Sequence, residues 1–154
     1  MSDATIHREA FNLLVDDLIG RGMSRDVYSS RLMPDCVIKV EDGAGSFQNI
    51  VEWETWLRVR DTPAGRWFAK CKWISPTGQI LIMERTRQPA LSEYPAKMPV
   101  FLCDLKRTNY GISNAPDPKT GKPTHAFVCH DYGTNMLFEH GMSKRMRTAE
   151  WWDE

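Results

Sequence analysis

The run Cys36-Val37-Ile38-Lys39-Val40, entered through Pro34-Asp35 and left through Glu41-Asp42-Gly43, decides how this chain is read. Val37, Ile38 and Val40 are β-branched and suit a pleated, buried surface, so the run reads as a strand. On a two-residue period Val37 and Lys39 share one face, and Ile38 and Val40 share the other. A lysine among so many apolar neighbours needs a carboxylate partner or a route to water. Upstream, residues 26–29 form a second short run, near enough to make a hairpin with the first. Downstream, a glycine-rich turn over residues 41–46 leads into a helical pattern over residues 47–60, with Ser46 placed as its N-cap. Glu52 and Glu54 are the two carboxylates on that helix. Trp56 lies four residues beyond Glu52 and reads as core, so Glu52 faces the sheet, and a Lys39–Glu52 ion pair is expected.

Further out, Phe11, Leu14, Val15 and Leu18 recur at helical spacing, which predicts one amphipathic helix over residues 6–19, ended by Gly20-Arg21-Gly22. Residues 67–74 and 79–83 flank the turn sequence Ser75-Pro76-Thr77-Gly78 and read as a second hairpin. Pro89, Pro95 and Pro99 leave room only for a short helix over residues 90–94. Residues 100–103 and 125–129 are short apolar runs, separated by a polar, proline-containing loop over residues 114–124. Residues 143–152 are expected to form a last helix. Helices and strand pairs in this order define an α+β fold with a mostly antiparallel sheet, not an alternating βαβ one.

At 154 residues, with 42% hydrophobic and 26% charged, the chain has the composition of one folded domain, which excludes wholesale disorder and low-complexity architecture. Twenty basic residues balance twenty acidic ones, which argues against a non-specific nucleic-acid binder; the run Arg58, Arg60, Arg66, Lys70, Lys72 reads as a solvated face. No apolar run reaches the roughly 18 residues of a membrane span, and residues 1–10 are too polar for a secretory signal, so a cytoplasmic protein is expected. Cys36, Cys71, Cys103 and Cys129 form no C-x-x-C pair and sit in apolar runs, as buried reduced thiols do. With His7, His125, His130 and His140 they supply no zinc spacing. Trp53 and Trp56 fit the core side of a helix, whereas Trp151 and Trp152 read as a partner-binding or dimer patch.

Three fragments carry chemistry. Gly20-Arg21-Gly22-Met23-Ser24-Arg25-Asp26-Val27 sets two glycines ahead of a strand, where backbone N–H groups can approach phosphates; the same glycines would also serve simply to end a helix. Lys39 is the second fragment. The third is paired: Asp104-Leu105-Lys106-Arg107-Thr108-Asn109 follows one apolar run, and His130-Asp131-Tyr132-Gly133 follows another. Together these offer a catalytic carboxylate and two oxygen ligands for Mg²⁺.

In this order the fragments resemble the protein-kinase superfamily, over residues 20–133. Gly20-x-Gly22…Val27 resembles a degenerate glycine-rich loop with Arg25 at the third glycine, and Val37-Ile38-Lys39 resembles the strand that carries the phosphate-binding lysine. Ile80-Leu81-Ile82-Met83-Glu84-Arg85-Thr86 resembles the strand running into the hinge. Asp104-Leu105-Lys106…Asn109 resembles the catalytic loop, and Asp131-Tyr132-Gly133 the metal-binding Asp-Phe-Gly. The chain is most similar to small truncated kinase-like proteins of tailed bacteriophages, in which Gly-x-Ser-Arg-x-Val-Tyr, a Gln48-Asn49-Ile50-Val51-Glu52 type of helix and Asn-Tyr-Gly…Asp-Tyr-Gly recur.

The resemblance implies ATP and Mg²⁺ as cofactors. Gly20, Gly22, Ser24, Val27 and Lys39 would meet the nucleotide, with Met83 as gatekeeper and Glu84 and Thr86 at the adenine. Lys39, Glu52, Asp104 and Lys106 would be catalytic, and Asn109 and Asp131 would hold the metal. One kinase-like domain is expected, with a helix over residues 1–19, an N-lobe-like part built on an antiparallel sheet and one main helix over residues 20–86, and a strongly reduced C-lobe over residues 87–154. The reduction follows from spacing: only residues 87–103 separate hinge from Asp104, only residues 134–154 follow Gly133, and no Ala-Pro-Glu segment is present. Cys103 stands where the arginine of His-Arg-Asp would be, which removes the usual reader of an activation-loop phosphate. Two functions fit: transfer of the γ-phosphoryl group to a protein hydroxyl, or a catalytically silent kinase-fold protein that binds a host protein, in the host cytoplasm for a viral chain.

Overall fold

The computed structural model of the chain describes residues 3–22, 25–41 and 46–154, with side chains from residue 8 onward. Two compact units are present: Met1–Ile50 with Cys71–Arg85, and Val51–Lys70 with Thr86–Glu154. The architecture is α+β, with every pairing between named strands antiparallel.

The first unit is a five-stranded sheet in the order β1-β2-β3-β5-β4. Its strands are β1 (Val15–Arg21), β2 (Arg25–Ser30), β3 (Cys36–Glu41), β4 (Cys71–Ile74) and β5 (Ile80–Glu84). Helix α1 (Asp3–Leu14) runs directly into β1, so the single helix expected over residues 6–19 stops five residues early. Apolar spacing could not reveal this, because Phe11 and Leu14 on the helix and Val15 on the strand all reach one core cluster with Cys36, Ile38 and Ile82. Pairing with β2 decides it: Val15 lies opposite Ser30 and Leu18 opposite Tyr28. Ser30 Oγ donates to the Leu14 carbonyl at 2.7 Å, and the Asp17 N–H donates to Ser29 Oγ at 2.9 Å. Long-range pairing here outweighs local period.

The two faces of β3 separate as period two requires. Ile38, with Tyr28 and Ile82 beside it in register, faces the cluster under α1. Val37, Lys39 and Glu41 face the other way, alongside Ser29, Val27 and Arg25 on β2. The β4–β5 connection is the turn at residues 75–78, closed by the Gly78 N–H donating to the Ser75 carbonyl at 2.9 Å. Gly78 has φ of 75°, which a side chain disfavours, and a Cβ there would lie 2.6 Å from Ile50 Cγ1.

Helix α2 spans Gln48–Val59. Ser46 does not cap it. The Ser46 hydroxyl donates to Glu41 Oε2 at 3.1 Å, and Glu41 Oε1 takes the Asn49 N–H in a short hydrogen bond. A carboxylate is the stronger acceptor at the positive end of a helix and displaces the hydroxyl from that task.

In the second unit α2 turns Glu52, Thr55 and Val59 inward, while Glu54 is exposed and Trp53 and Trp56 are half-buried. The remaining elements are short. A 3-10 turn covers Pro63–Trp67, and others cover Leu91–Glu93 and Arg107–Asn109; β6 (Lys97–Pro99) pairs with β9 (Met146–Thr148), and β7 (Tyr110–Ile112) with β8 (Phe127–Cys129). α3 is a single turn, Leu137–His140. The helix expected over residues 143–152 is absent, because that backbone is spent on β6: the Val100 N–H donates to the Arg145 carbonyl at 3.1 Å and the Ala149 N–H to Ala96 at 2.8 Å. Residues 100–103 form no strand; the Leu102 N–H closes a turn onto the Pro99 carbonyl at 3.1 Å, and Phe101 and Leu102 are buried.

Two aromatic groups fill this unit. Phe68 stacks on Phe101 at 5.9 Å and meets Tyr132 edge-on at 5.0 Å. Tyr94, Tyr110, Phe127 and Trp151 surround one another at centroid distances of 4.9–5.6 Å. Trp151 is therefore anchored in packing, with its Nε1–H on the Pro95 carbonyl at 2.8 Å, and does not form a surface patch with Trp152. Of the four cysteines Cys36, Cys71 and Cys129 are buried and Cys103 is half-buried. No helix among the described residues is long and apolar enough to cross a membrane.

Candidate functional site

The first unit brings several of the proposed nucleotide-contacting residues into one cross-strand row. Gly20 lies opposite Val27, Val27 opposite Lys39, and Lys39 opposite Leu81. Cross-strand partners share a face, so Gly20, Val27 and Lys39 line one strip of the sheet, and Lys39 is only 3% exposed. Gly20 itself is inside β1, not at a helix end, and a Cβ there would meet Val27 Cβ at an ordinary 3.7 Å. Gly22 closes the turn between β1 and β2, its N–H donating to the Arg25 carbonyl at 2.8 Å. Ser24 lies outside the described residues. Met83 and Glu84 end β5, buried, in register with Val37 and Cys36.

Beside that strip lies a polar knot that sequence reasoning missed. Asn49 is fully buried in the first turn of α2. Its Nδ2 donates to the carbonyls of Lys39, Gly78 and Gln79 at 3.0–3.1 Å, and its Oδ1 accepts from Arg25 Nη1 at 3.0 Å. Asn49 thus ties α2 to the backbone of the residue that carries the lysine. The signal was present in Gln48-Asn49-Ile50-Val51-Glu52, where an asparagine amide among apolar neighbours needs fixed partners once it is buried.

In the second unit Glu52 is wholly buried, and its Oε2 accepts the N–H groups of Tyr132 at 2.8 Å and Gly133 at 3.1 Å. Tyr132 is pinned from its other end, its hydroxyl donating to the Ala69 carbonyl at 2.8 Å. The glutamate therefore fixes the Asp131-Tyr132-Gly133 backbone, a task that its spacing from Lys39 did not suggest.

Asn109 and Asp131 are brought together by the β7–β8 pair, in which Tyr110 lies opposite Cys129. The Asn109 carbonyl accepts the N–H groups of His130 at 2.9 Å and Asp131 at 3.3 Å. The Asn109 side chain turns the other way, donating through Nδ2 to Asp104 Oδ2 at 3.0 Å. Asp104, Asn109 and Asp131 are thus joined through one residue. With Nδ2 engaged on Asp104, Asn109 keeps Oδ1 as the amide's acceptor oxygen, and Asp131, joined to it through the backbone, is exposed. A hard-oxygen pair of this kind fits Mg²⁺, which takes one or two protein oxygens and keeps the rest for water and phosphate. Among the described residues no group of three His, Cys, Asp or Glu side chains could hold a metal.

Thr86 and His130, also unanticipated as a pair, lock the start of this unit to the same hairpin. Thr86 Oγ1 and His130 Nδ1 are 2.8 Å apart, and His130 Nε2 is 2.7 Å from the Thr108 carbonyl. The carbonyl accepts only, so Nε2 carries the proton and Nδ1 takes the Thr86 hydroxyl hydrogen. Gly111 makes room for this contact: a Cβ there would land on the Thr86 side chain.

Lys106 lies on the same loop, 20% exposed, in ion pair with Glu154 and 5.6 Å from the Trp152 ring. Arg107 Nη1 meets Asp153 Oδ2 at 2.7 Å. Burial, helped by Cys129, pushes the Tyr110 phenol far above its ordinary range. The bidentate Arg87 guanidinium, together with the Ala90 N–H, holds the Glu93 carboxyl down at about 2. Burial, then the neighbouring Asp35 carboxylate, raises the Cys36 thiol and keeps it unreactive.

No protein-family model matches this chain, and no curated protein matches it. Among solved structures it is similar to the streptomycin-ATP-APH(2")-IIa ternary complex, at 15% identity and a TM-score of 0.42, covering 59% of this chain and 31% of that one. The chain thus spans less than a third of that protein's length.

Proposed function

We propose that this chain is a minimal protein-kinase-like protein that binds Mg·ATP and transfers the γ-phosphoryl group to a protein hydroxyl. The observation that carries the reading is the junction at Asn109, whose side chain holds Asp104 and whose carbonyl holds the Asp131 amide. A carboxylate for the acceptor and two oxygens for a cation would then stand on the segments that enter and leave the β7–β8 pair. The strip Gly20, Val27 and Lys39 supports phosphate contact from the first unit, with Gly22 on its turn. Met83, Glu84 and Thr86 would border the adenine through their backbone, since the Thr86 hydroxyl is engaged by His130.

In this reading Lys39 orients the phosphates, and Glu52 holds the Asp131-Tyr132-Gly133 segment. Bound Mg²⁺ supplies charge neutralisation on the phosphate oxygens. The bond from the bridging oxygen to the γ-phosphorus breaks, the acceptor oxygen bonds that phosphorus, its proton passes to Asp104, and ADP leaves. Lys106 offsets charge on the group in transit. A second reading, a silent scaffold that binds a host protein, is favoured by one observation: Lys106 is engaged by Glu154.

Thermal melting with ATP, with and without Mg²⁺, tests the reading. Ligand at about a hundred times its Kd is expected to stabilise the protein by ~2.7 kcal/mol. Lys39→Met and Asp131→Asn should abolish the Mg²⁺-dependent shift. Asp104→Asn should keep it and lower turnover by about 10²–10⁴-fold. A folded wild type that shows no shift with Mg·ATP would overturn nucleotide binding and leave the scaffold reading.

A further inference from the structure

Residues 151–154 lie along the loop that carries Asp104 and Lys106, and Trp152 pairs with it through one β-bridge. Lys106 and Trp152 form a parallel bridge, in which the Trp152 N–H donates to the Leu105 carbonyl at 3.1 Å and the Arg107 N–H to the Trp152 carbonyl at 3.0 Å. The two residues that follow place one carboxylate on each of the two loop cations: Asp153 on Arg107 at 2.7 Å and Glu154 on Lys106. The Lys106 ammonium also lies near the Trp152 ring face, 5.6 Å from its centroid.

The two sides of this contact differ in burial. Lys106 and Arg107 are 20% and 30% exposed, whereas Glu154 and Asp153 are 79% and 66% exposed. The cations are set into the loop, and the acids rest on them from outside. Ion pairs with one exposed partner are weak, and Trp152 adds one bridge of two hydrogen bonds, so the grip beyond Trp151 is light. Trp151, by contrast, is packed among Tyr94, Tyr110 and Phe127. The segment is therefore moored at one residue and lightly held over the next three.

We propose that the Leu105–Arg107 edge is a recognition site for an extended, acidic, aromatic-bearing peptide, and that residues 152–154 occupy it in cis. The chemistry of recognition is complete on the loop. One backbone donor and one acceptor take an extended chain, as in strand addition, and two adjacent cations select an aromatic residue followed by two acids. An incoming peptide displaces the chain's own three residues while Trp151 stays seated. A tethered occupant competes at an effective concentration of roughly millimolar, which keeps weak or neutral peptides out. Lys106 is shared with the proposed phosphoryl transfer, so the test reads peptide binding without nucleotide, and its outcome does not depend on turnover.

The test uses the full chain and a fluorescently labelled peptide carrying Ala-Trp-Asp-Glu, with Ala-Trp-Asn-Gln as its neutral twin, read by anisotropy without ATP. The double variant Asp153→Asn/Glu154→Gln keeps Trp151 and changes only exposed side chains, and a melting curve verifies its fold. It is expected to bind the acidic peptide about tenfold or more tighter than wild type, with affinity falling as salt rises. Adding Lys106→Met to the double variant should lose that gain. Equal binding by wild type and the double variant, or equal binding of acidic and neutral peptides, would overturn the proposal. Amide exchange gives an independent reading on the wild type alone. The Trp152 and Arg107 amides should exchange faster than those of Ser113 and His130, which donate to the Ala126 and Asn109 carbonyls at the two ends of the β7–β8 pair, and equal protection would count against a displaceable occupant.

Discussion

Ile38 and Glu52 are both wholly excluded from solvent, one in each unit, and they hold their units by opposite means. Ile38 contributes hydrocarbon to a core shared with Val15, Cys36 and Ile82. Glu52 contributes a carboxylate that satisfies two backbone donors of a segment with no regular structure. The first unit can rely on area because a sheet already pairs its backbone. The second has only three-residue strand pairings and single bridges, so its buried polar backbone must find side-chain acceptors. A charged residue in the core is here the counterpart of a missing strand.

The largest expected effect is in the first unit. Ile38→Ala removes a buried side chain between packed neighbours and should destabilise by about 4 kcal/mol in chemical denaturation, with amides of β2, β3 and β5 losing protection first. If the amides of β7 and β8 lose protection equally, the contrast between the units is void. Next comes Glu52→Ala, which strands the Tyr132 and Gly133 N–H groups and should cost about 3 kcal/mol. Glu52→Gln keeps an acceptor oxygen and should recover part of that loss; no recovery would mean that the charge, not the hydrogen bond, matters. Gly111→Ala forces a methyl onto the Thr86 side chain and should cost about 2 kcal/mol, with the His130 ring signals shifted in NMR spectra. An unchanged melting curve would show that Thr86 is free to yield.

The smallest effect is the Arg87–Glu93 pair on the surface of the second unit. Its folded-state carboxyl titrates at about 2, below the ordinary 4.5. A depressed carboxyl stabilises above its unfolded value and loses that contribution as pH falls through the folded one. The pair's contribution should therefore be whole above pH 4.5 and vanish as pH falls toward 2. Carbon-detected titration of the Glu93 carboxyl is the check, and a midpoint near 4.5 would remove the pair from consideration.

The sequence made the first unit largely readable, for the same reason that area can hold it. β5 is a continuous apolar run after a clear turn sequence, and Ile38 and Val40 of β3 lie on the core face where alternation puts them. Phe11, Leu14 and Val15 misled, since helix and strand both deliver them to the same cluster. In the second unit the signals were motifs, not periods. The spacing of Asp104, Asn109 and Asp131 was visible, but the cause of their meeting, three residues of β7 against three of β8, is too short to show any pattern. The phase of α2 was legible through Glu52 against Glu54, while the partners of Glu52 at Tyr132 and Gly133 lie eighty residues away. Residues 143–152 offered a helix that the unpaired edge of β6 took for a strand. Asn49 and the seat of residues 152–154 on Lys106 depend wholly on tertiary placement.

The pairing of β6 with β9 bears on the order in which the molecule assembles. Ser29 and Val37, partners in β2 and β3, are eight positions apart, whereas Lys97 and Thr148, partners in β6 and β9, are fifty-one apart. Closing the longer loop carries more entropy, and its contacts form later in a folding chain. Trp151, three residues past β9, can settle among Tyr94, Tyr110 and Phe127 only once that closure is made. Its fluorescence should thus lag behind formation of the sheet in stopped-flow refolding. During that lag the loop bearing Asp104 and Lys106 is uncovered, so the newly folded chain passes through a brief interval in which its own acids do not yet compete for the cations.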